Sequence, residues 1–262
     1  MPIKSSPSPW IARRVPRENA SLRLFCFPHA GAGSVIFKDW YADFPAHVEV
    51  CAIEPPGRLA RRSEPLIRTM SEFAAALEVA LDPYLDMPFA FFGYSLGAVM
   101  AFECARAIRR HKKIEPTHLL VAAAKAPQLP RRLAPISHEP EPVFVRELER
   151  RYGPFETMIK AEPEMFGMIL DIMRVDLGML EGYRYQAEPG FDCPILAIGG
   201  TDDVSVVSGD LEGWREQTCR AFRTQLLPGG HFFLRAHGKQ LRDLVRNEIQ
   251  PVRPAEMSAP AT

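Results

Sequence analysis

Short apolar segments that end near glycine or proline recur along the chain. Six of them predict β-strands, at residues 22–27, 48–53, 88–92, 119–124, 195–198 and 222–227. Such short, mainly apolar strands are typical of a parallel sheet buried under helices on both faces. Stretches with helical spacing lie between them, at 71–85, 96–110, 211–219 and 240–249, the first with Ser71 as its N-cap. The alternation predicts an α/β fold with a mostly parallel sheet and right-handed crossovers.

The interval from about 128 to 186 breaks this rhythm, because it shows no strand pattern. Apolar residues recur there at helical spacing, which predicts a helical insertion between two strands. Both flanking strands are expected to end at the same edge of the sheet, so the insertion is expected to cover a site at that edge. Its apolar face either lines a channel for a flexible substrate or is ordinary core packing. The residues expected to line such a channel are Met165, Phe166, Ile169, Met173 and Leu177.

The composition is that of a globular chain and excludes several classes of protein. Of 262 residues, 47% are hydrophobic and 24% are charged, which excludes an intrinsically disordered chain. Lys plus Arg and Asp plus Glu both number 32, so nothing indicates a nucleic-acid partner or a polybasic membrane binder. No apolar run approaches the ~20 residues of a membrane span, and residues 1–20 show no export-signal pattern.

The five cysteines are scattered along the chain and form no C-x-x-C pair. We therefore expect neither a disulfide framework nor a metal site, and a reducing, cytoplasmic compartment. Residues 1–20 and 251–262 are rich in Pro, Ser and Arg, and we expect flexible tails around one domain at 21–250. A neutral composition without a heptad seam favours a monomer.

The pentapeptide Gly93-Tyr94-Ser95-Leu96-Gly97 has the G-x-S-x-G form of a serine nucleophile turn. It follows a predicted strand and precedes a helix rich in small residues, which is the context that the motif requires. Such a turn lifts the serine hydroxyl above the sheet, at the positive end of the helix dipole. Ser95 is therefore the predicted nucleophile, and a tight turn without chemistry is the alternative.

A serine nucleophile needs a histidine base and an acid that orients this base. In α/β-hydrolases the acid and then the histidine follow the serine along the chain. His231 lies in a glycine-rich loop after the last predicted strand and is the preferred base, ahead of His237. Asp202 and Asp203 both follow the strand at 195–198, and their spacing does not separate them. An Asx turn is the structural alternative for either aspartate.

Backbone N–H groups are expected to stabilise the oxyanion that forms during acyl transfer. One belongs to Leu96, the residue after the nucleophile. The other is expected in the loop FPHAGAG at 27–33, where glycines allow close approach of the backbone. The glycine spacing of that loop matches neither common phosphate-binding motif, which disfavours a phosphate site there.

These segments together resemble the stand-alone type II thioesterases of polyketide synthase and nonribosomal peptide synthetase systems. The matching segments are LFCFPHAGAG (24–33), PPGR (55–58), GYSLGAVMAFE (93–103), DLGMLEGYRY (176–185), CPILAIGGTDD (193–203), Trp214 and PGGHFFL (228–234). The resemblance implies an α/β-hydrolase fold with a helical lid at about 128–186. It also implies Asp203 as the acid and Ala30 as the second oxyanion donor. Val204 stands where the family usually has proline.

The resemblance further implies a serine thioesterase that hydrolyses acyl thioesters on the phosphopantetheine arm of carrier proteins, removing aberrant or stalled acyl groups. The alternatives are a general carboxylesterase, an acyl-coenzyme A thioesterase and a non-catalytic binding protein of the same fold. The implied partners are acyl carrier or peptidyl carrier protein domains, without nucleic acid or membrane. No cofactor or metal is implied beyond the phosphopantetheine that the substrate carries.

Carrier domains are generally acidic around their modified serine, so a docking surface is expected to be basic. Arg58, Arg61 and Arg62 follow the PPG loop and are expected to form this surface near the active site. Ordinary solvated surface charges are the alternative.

Overall fold

Seven strands form one sheet in the computed structural model, which describes residues 8–14, 16–153 and 163–250 without the side chains at 12–14, 163 and 165. The strands are β1 Ile11–Arg14, β2 Leu22–Phe27, β3 Val48–Ile53, β4 Phe89–Tyr94, β5 Leu119–Ala122, β6 Ile195–Gly200 and β7 Phe222–Leu227. Their order is β1-β3-β2-β4-β5-β6-β7, with β1 antiparallel to β3 and the other pairs parallel. The predicted α/β fold is confirmed, and three of the six predicted strands have the predicted bounds.

Eight α-helices lie within the described ranges. They are α1 Trp40–Asp43, α2 Met70–Leu81, α3 Leu96–Lys112, α4 Glu141–Tyr152, α5 Pro163–Gly182, α6 Ser208–Glu212, α7 Phe233–Ala236 and α8 Gly238–Glu248. The helix predicted at 211–219 is divided between α6 and a 3₁₀ turn at Gly213–Gln217. Among the described helices, none has both the length and the apolar character needed to cross a bilayer.

The N-terminus of α2 differs from the prediction. Thr69 has an extended backbone, with φ −126° and ψ 147°, and its Oγ1 accepts a hydrogen bond from the Glu72 N–H at 3.3 Å. Thr69 is therefore the N-cap, and the predicted N-cap at Ser71 is wrong because Ser71 already lies inside the first turn.

Alternate residues of the central strands face opposite sides of the sheet. In β2, Phe25 and Phe27 join an apolar cluster with α2 and α3, whereas Leu24 and Cys26 join a second cluster with α1 and α8. All six residues of β2 are buried, and the charged Arg23 among them is paired with a buried glutamate at 2.6 Å. Burial on both faces explains why the central strands lack an alternating polar pattern.

The N-terminal residues complete one edge of the sheet. β1 pairs with β3, and Trp10 and Ile11 are buried in the core, with the Trp10 ring 5.5 Å from that of Phe73. The expectation of a flexible tail over 1–20 is therefore wrong here, because two apolar side chains in a polar segment gain burial at the sheet edge. The remaining parts of the predicted tails, residues 1–7, 15 and 251–262, lie outside the described residues.

α4 and α5 occupy the interval between β5 and β6, where the sequence predicts a helical insertion. We call residues 128–186 the lid. Its apolar side chains form a small core of their own, made of Ile136, Phe144, Leu148, Phe166, Leu170, Met173 and Leu177. Ala30, in the loop after β2, packs against both this cluster and the main core, so the lid covers the carboxyl end of the sheet.

Candidate active site

Ser95 lies in a strained turn between β4 and α3. β4 ends at Tyr94, α3 begins at Leu96, and Ser95 between them has φ 56° and ψ −119°. A positive φ is costly for a residue with a Cβ, and such strain is concentrated at functional sites. The Ser95 N–H donates to the Ala122 carbonyl oxygen at the end of β5 at 2.7 Å, which ties the turn to the neighbouring strand. The motif thus has the strand–turn–helix context that was predicted for it.

Both glycines of the motif are required by close backbone contacts. A Cβ on Gly93 would lie 2.3 Å from the Gly97 carbonyl oxygen, and a Cβ on Gly97 would lie 2.3 Å from the Phe27 carbonyl oxygen. Neither position accepts even alanine without a shift of the backbone. The second contact also brings the loop after β2 against the first turn of α3.

Ser95, His231 and Asp203 form a continuous series of hydrogen bonds. Ser95 Oγ lies 2.9 Å from His231 Nε2, and His231 Nδ1 lies 2.8 Å from Asp203 Oδ2. The side chains of His231 and Asp203 are 4% and 0% exposed, so bulk water does not compete for their bond. The other candidates lie apart from this series, since Asp202 is exposed and His237 is the N-cap of α8.

The Asp203 carboxylate accepts hydrogen bonds on both oxygens. Besides His231 at Oδ2, Oδ1 accepts from the Ser205 N–H at 2.8 Å, the Ser205 hydroxyl at 2.6 Å and the Val206 N–H at 3.2 Å. Burial raises the pKa of Asp203, but the hydrogen bonds from His231 and Ser205 outweigh it and hold the pKa below its ordinary value. The ionised carboxylate therefore accepts the Nδ1–H of His231, which leaves Nε2 to accept from the Ser95 hydroxyl.

Ser205 is a site residue that the sequence analysis missed. Its Oγ lies 2.6 Å from Asp203 Oδ1 and 3.0 Å from His231 Nδ1, so it touches both members of this pair. A serine two residues after an aspartate is a common Asx-turn arrangement, and this spacing is the signal that indicates it.

Two tyrosines hold His231 from different elements. The Tyr94 hydroxyl donates to the His231 carbonyl oxygen at 2.6 Å and accepts from the Leu234 N–H at 3.3 Å. The Tyr152 ring, at the end of α4 in the lid, lies 4.7 Å from the imidazole ring between centroids. Burial raises the pKa of both phenols, which therefore stay neutral. Neither tyrosine is predicted as a site residue from the sequence, and only Tyr94 carries a sequence signal, as a member of the G-x-S-x-G motif.

Ala30 and Leu96 carry the two N–H groups expected to bind an oxyanion. We call residues 28–33, which include Ala30, the oxyanion loop. Within the part of the chain that the structure describes, neither N–H donates a hydrogen bond, so both are available to a ligand. Burial lowers the pKa of His29 to about 4. The neutral ring then donates its Nδ1–H to the Ala30 carbonyl oxygen at 2.9 Å and helps to hold the loop.

A cavity of about 560 Å³ opens onto Ser95. Its inner part is lined by Ser95, Ser205 and His231 together with the buried side chains of Val99, Leu177 and Val206. Its outer part is lined by exposed residues, among them Arg131, Arg132 and Arg184. The apolar inner wall suits an acyl chain, and the open outer part admits a substrate that stays attached to a larger molecule.

Fewer of the predicted lid residues line this cavity than the sequence indicates. Of the five predicted lid residues, Leu177 lines the cavity, whereas Phe166, Ile169 and Met173 pack within the lid core. A Cβ on Gly31 would lie 2.4 Å from Met173 Cγ, so this part of the lid rests on the oxyanion loop. The expectation is wrong for these three residues, because the apolar face of α5 that carries them attaches the lid to the domain. The Met165 side chain lies outside the described residues.

The three arginines predicted to form a docking surface have different environments. Arg58 is buried and forms an ion pair with Asp176 of α5. Arg61 is also buried, with its guanidinium 4.3 Å from the centroid of the Trp10 ring. Arg62 is exposed. The prediction of a docking surface is therefore wrong for Arg58 and Arg61, because their guanidinium groups are buried in contacts inside the protein.

Comparisons with known proteins agree with this geometry. The thioesterase domain family matches residues 22–249, a range that includes the sheet from β2 onward, the lid and all three hydrogen-bonded residues. The gramicidin S biosynthesis protein GrsT of Aneurinibacillus migulanus is 37% identical over 234 residues, which cover 89% of this chain and 91% of GrsT.

Solved structures of thioesterases have the same fold. The RedJ thioesterase from the prodiginine biosynthetic pathway in Streptomyces coelicolor superposes with a TM-score of 0.83 at 31% identity, covering 94% of both chains. The type II thioesterase BorB from the borrelidin biosynthetic cluster superposes with a TM-score of 0.77 at 30% identity, covering 89% of this chain and 93% of BorB. The chain therefore belongs to the thioesterase domain family and is a thioester hydrolase with an α/β-hydrolase fold.

Proposed function

We propose that this thioesterase hydrolyses acyl groups from the phosphopantetheine arm of acyl carrier or peptidyl carrier domains, removing stalled or aberrant acyl groups during polyketide or nonribosomal peptide synthesis. The observation that carries the proposal is the hydrogen-bonded series of Ser95, His231 and Asp203 at the inner end of an open cavity. The relatives support the type of pathway, since GrsT, RedJ and BorB are all proteins of natural-product biosynthesis. The reaction needs no cofactor of the enzyme's own, because the arm belongs to the substrate.

The first half of the reaction transfers the acyl group to the enzyme. Ser95 Oγ attacks the thioester carbonyl carbon while His231 Nε2 takes the hydroxyl proton. Asp203 accepts the Nδ1–H of the imidazolium that forms and so stabilises its charge. The carbon–sulfur bond then breaks, His231 gives the proton to the departing thiolate, and an ester remains on Ser95.

The oxyanion of the tetrahedral intermediate forms beside the N-terminus of α3. The N–H groups of Ala30 and Leu96 stabilise this charge, and the dipole of α3 adds to their effect. Neither N–H has a hydrogen-bond acceptor within the described part of the chain. Both are therefore free to donate to the oxyanion as its charge develops.

The second half of the reaction releases the acid. A water molecule enters through the outer part of the cavity, and His231 Nε2 takes one of its protons as the oxygen attacks the ester carbonyl. The bond to Ser95 Oγ breaks, and His231 returns the proton to Ser95. A carboxylic acid leaves, and the carrier arm is free for another round of synthesis.

The proposed setting is the cytoplasm, where the enzyme acts as a monomer that meets carrier domains transiently. All five cysteines lie within the described residues and are free thiols, which fits a reducing compartment. Light scattering after size-exclusion chromatography tests the monomer. A mass near 29.4 kDa is expected, and twice that mass contradicts it.

Rates on three classes of substrate test the proposed function. The same acyl group is presented on a carrier protein, on coenzyme A and as a p-nitrophenyl ester. We expect kcat/KM to be highest on the carrier protein, by about ten-fold or more, because the carrier adds contacts that the small substrates lack. Equal values for all three would contradict a carrier-protein enzyme and favour a general esterase.

A further inference from the structure

Positively charged side chains gather at the outer part of the active-site cavity. Arg131, Arg132 and Arg184 are exposed there, and Lys125 is half-buried. Among the cavity-lining residues that the structure describes, Glu181 supplies the single carboxylate. The opening through which a substrate enters is therefore cationic, and the chemistry at Ser95 uses none of these charges.

Arg131 and Arg184 are held side by side by one backbone carbonyl. The Glu181 carbonyl oxygen, near the end of α5, accepts from Arg131 Nη2 and also from Arg184 Nη1, the latter at 3.0 Å. Two nitrogens bound to one oxygen lie within about 6 Å of each other. The carbonyls at the C-terminal end of a helix attract cations, which accounts for the position of both arginines.

The partners of Arg131 and Arg184 in the described part of the chain are backbone carbonyls and not carboxylates. The Glu181 carboxylate accepts instead from the N–H groups of Ile136 at 2.7 Å and Ser137 at 3.1 Å. Two guanidinium groups so close together repel each other, and a bound anion relieves that repulsion.

The other two cations of the opening are partly compensated. Arg132 forms an ion pair with Asp210, a residue of α6. Burial lowers the pKa of Lys125, Asp210 opposes this, and Arg131 and Arg132 lower it further. The positive charges of the opening therefore repel one another. Arg132 and Lys125 are offset in part by Asp210, whereas Arg131 and Arg184 are paired with no carboxylate in the described part of the chain.

From this arrangement we infer that Arg131 and Arg184 bind the phosphate group of the phosphopantetheine arm. The inference rests on the proposed function, in which the thioester lies at Ser95 in the inner part of the cavity. The phosphate is at the opposite end of the arm from the thioester, so an arm that enters through the outer part brings it to the arginines. Guanidinium groups present paired N–H donors to phosphate oxygens, and the carbonyl contacts use only one terminal nitrogen of each arginine.

The same phosphate reaches the enzyme from two sources, as a diester on a carrier-protein serine or as part of coenzyme A. A carrier protein also brings acidic side chains of its own, which are a separate source of attraction to arginine. Two minimal substrates isolate the phosphate: acyl-phosphopantetheine carries it without protein or nucleotide, and acyl-pantetheine lacks it. Acyl-coenzyme A and acyl-carrier protein are then measured beside them.

The test compares kcat/KM for acyl-phosphopantetheine and acyl-pantetheine in three proteins. These are the wild type, the double variant Arg131→Gln/Arg184→Gln and the matched control Arg146→Gln, which changes an exposed arginine outside the cavity. We expect the wild type and the control to prefer the phosphorylated substrate by about ten-fold. The double variant is expected to lose this preference, because its kcat/KM for acyl-phosphopantetheine falls to its value for acyl-pantetheine. Circular dichroism and urea unfolding check that it is folded.

Several results would overturn the inference. The wild type could cleave both minimal substrates alike, or the double variant could keep the preference or lose activity equally on both. A loss confined to acyl-carrier protein would assign the arginines to the carrier's protein surface, and one confined to acyl-coenzyme A would assign them to the nucleotide. The proposed function is judged separately, by whether the wild type prefers acyl-carrier protein to simple esters.

Discussion

Asp176 in the lid and Arg58 in the loop after β3 form an ion pair whose side chains are 2% and 7% exposed. Asp176 Oδ2 also accepts from the Gly31 N–H at 2.8 Å, and Arg58 Nε donates to the Ala32 carbonyl oxygen at 3.2 Å. The pair therefore joins α5, the oxyanion loop and the loop after β3. A displacement of α5 would disturb the loop that carries Ala30, so lid position and oxyanion binding are coupled.

The variant Asp176→Asn tests this coupling. It leaves Arg58 buried without a counter-ion, so we expect the free energy of unfolding to fall by about 3 kcal/mol and kcat to fall with it. Urea unfolding measures the first effect. The matched control Asp171→Asn changes an exposed aspartate of the same helix and is expected to cost less than about 0.5 kcal/mol. Equal stabilities for the two variants would show that the ion pair does not hold the lid.

Neighbouring aspartates allow a matched test of the acid. Asp203→Asn removes the charge that holds the Nδ1–H of His231, and we expect kcat to fall by about 10³- to 10⁴-fold. Asp202→Asn changes an exposed side chain and is expected to leave kcat within about two-fold. Steady-state kinetics on one acyl substrate decides the matter, and a large loss confined to Asp202→Asn would reverse the assignment.

The same pair of aspartates shows where sequence reasoning reaches its limit. Ser95 is predictable because glycines on both sides mark a local turn, and His231 because it follows the last strand in the expected chain order. Asp202 and Asp203 share one turn, and only one of them points to His231, which is 28 residues from Asp203. Which side chain turns inward depends on the packing of two strand ends, which no local pattern records.

The arginines and the lid show a second limit. Arg58 lies in a basic segment that resembles a solvated surface, but its partner Asp176 is 118 residues away, so the sequence does not indicate its burial. Helical periodicity likewise identifies the apolar face of α5 but not what this face contacts. Met173 and Leu177 lie on that face, yet Met173 rests on Gly31 and Leu177 lines the cavity.

His29 gives a pH dependence of stability. Burial lowers its pKa from 6.5 to about 4, so the unfolded chain binds a proton there more readily than the folded chain does. The folded state therefore loses stability as the pH falls from 6.5 towards 4, by up to about 3 kcal/mol, and His29 adds no pH dependence above this window. We expect His29→Gln to lose less unfolding free energy than the wild type between about pH 7 and about pH 5.

Urea unfolding at the two pH values measures this difference. The control His138→Gln changes an exposed histidine in the lid and is expected to keep the wild-type dependence. Identical losses in the wild type and in His29→Gln would mean that His29 titrates alike in the folded and unfolded chains, contrary to its burial.

Leu177 is expected to limit the length of the acyl chain. Leu177→Trp narrows the inner part of the cavity, so kcat/KM is expected to fall about ten-fold more for decanoyl than for acetyl thioesters. Met168→Trp, on the same helix but with Met168 60% exposed, is the matched control and is expected to keep the wild-type profile. An unchanged chain-length profile in a folded Leu177→Trp enzyme would place the acyl chain elsewhere.

In the proposed reaction, an acyl group passes from a carrier-bound thioester to Ser95 and then to water. Intact-protein mass spectrometry of an acyl-carrier protein follows this transfer after incubation with the wild type or with Ser95→Ala. We expect the wild type to remove the mass of the acyl group and to leave the phosphopantetheine arm in place. Ser95→Ala is expected to do so about 10⁴-fold more slowly while keeping its fold by circular dichroism. Comparable rates for the two proteins, or release of the whole arm, would contradict an acyl transfer through Ser95.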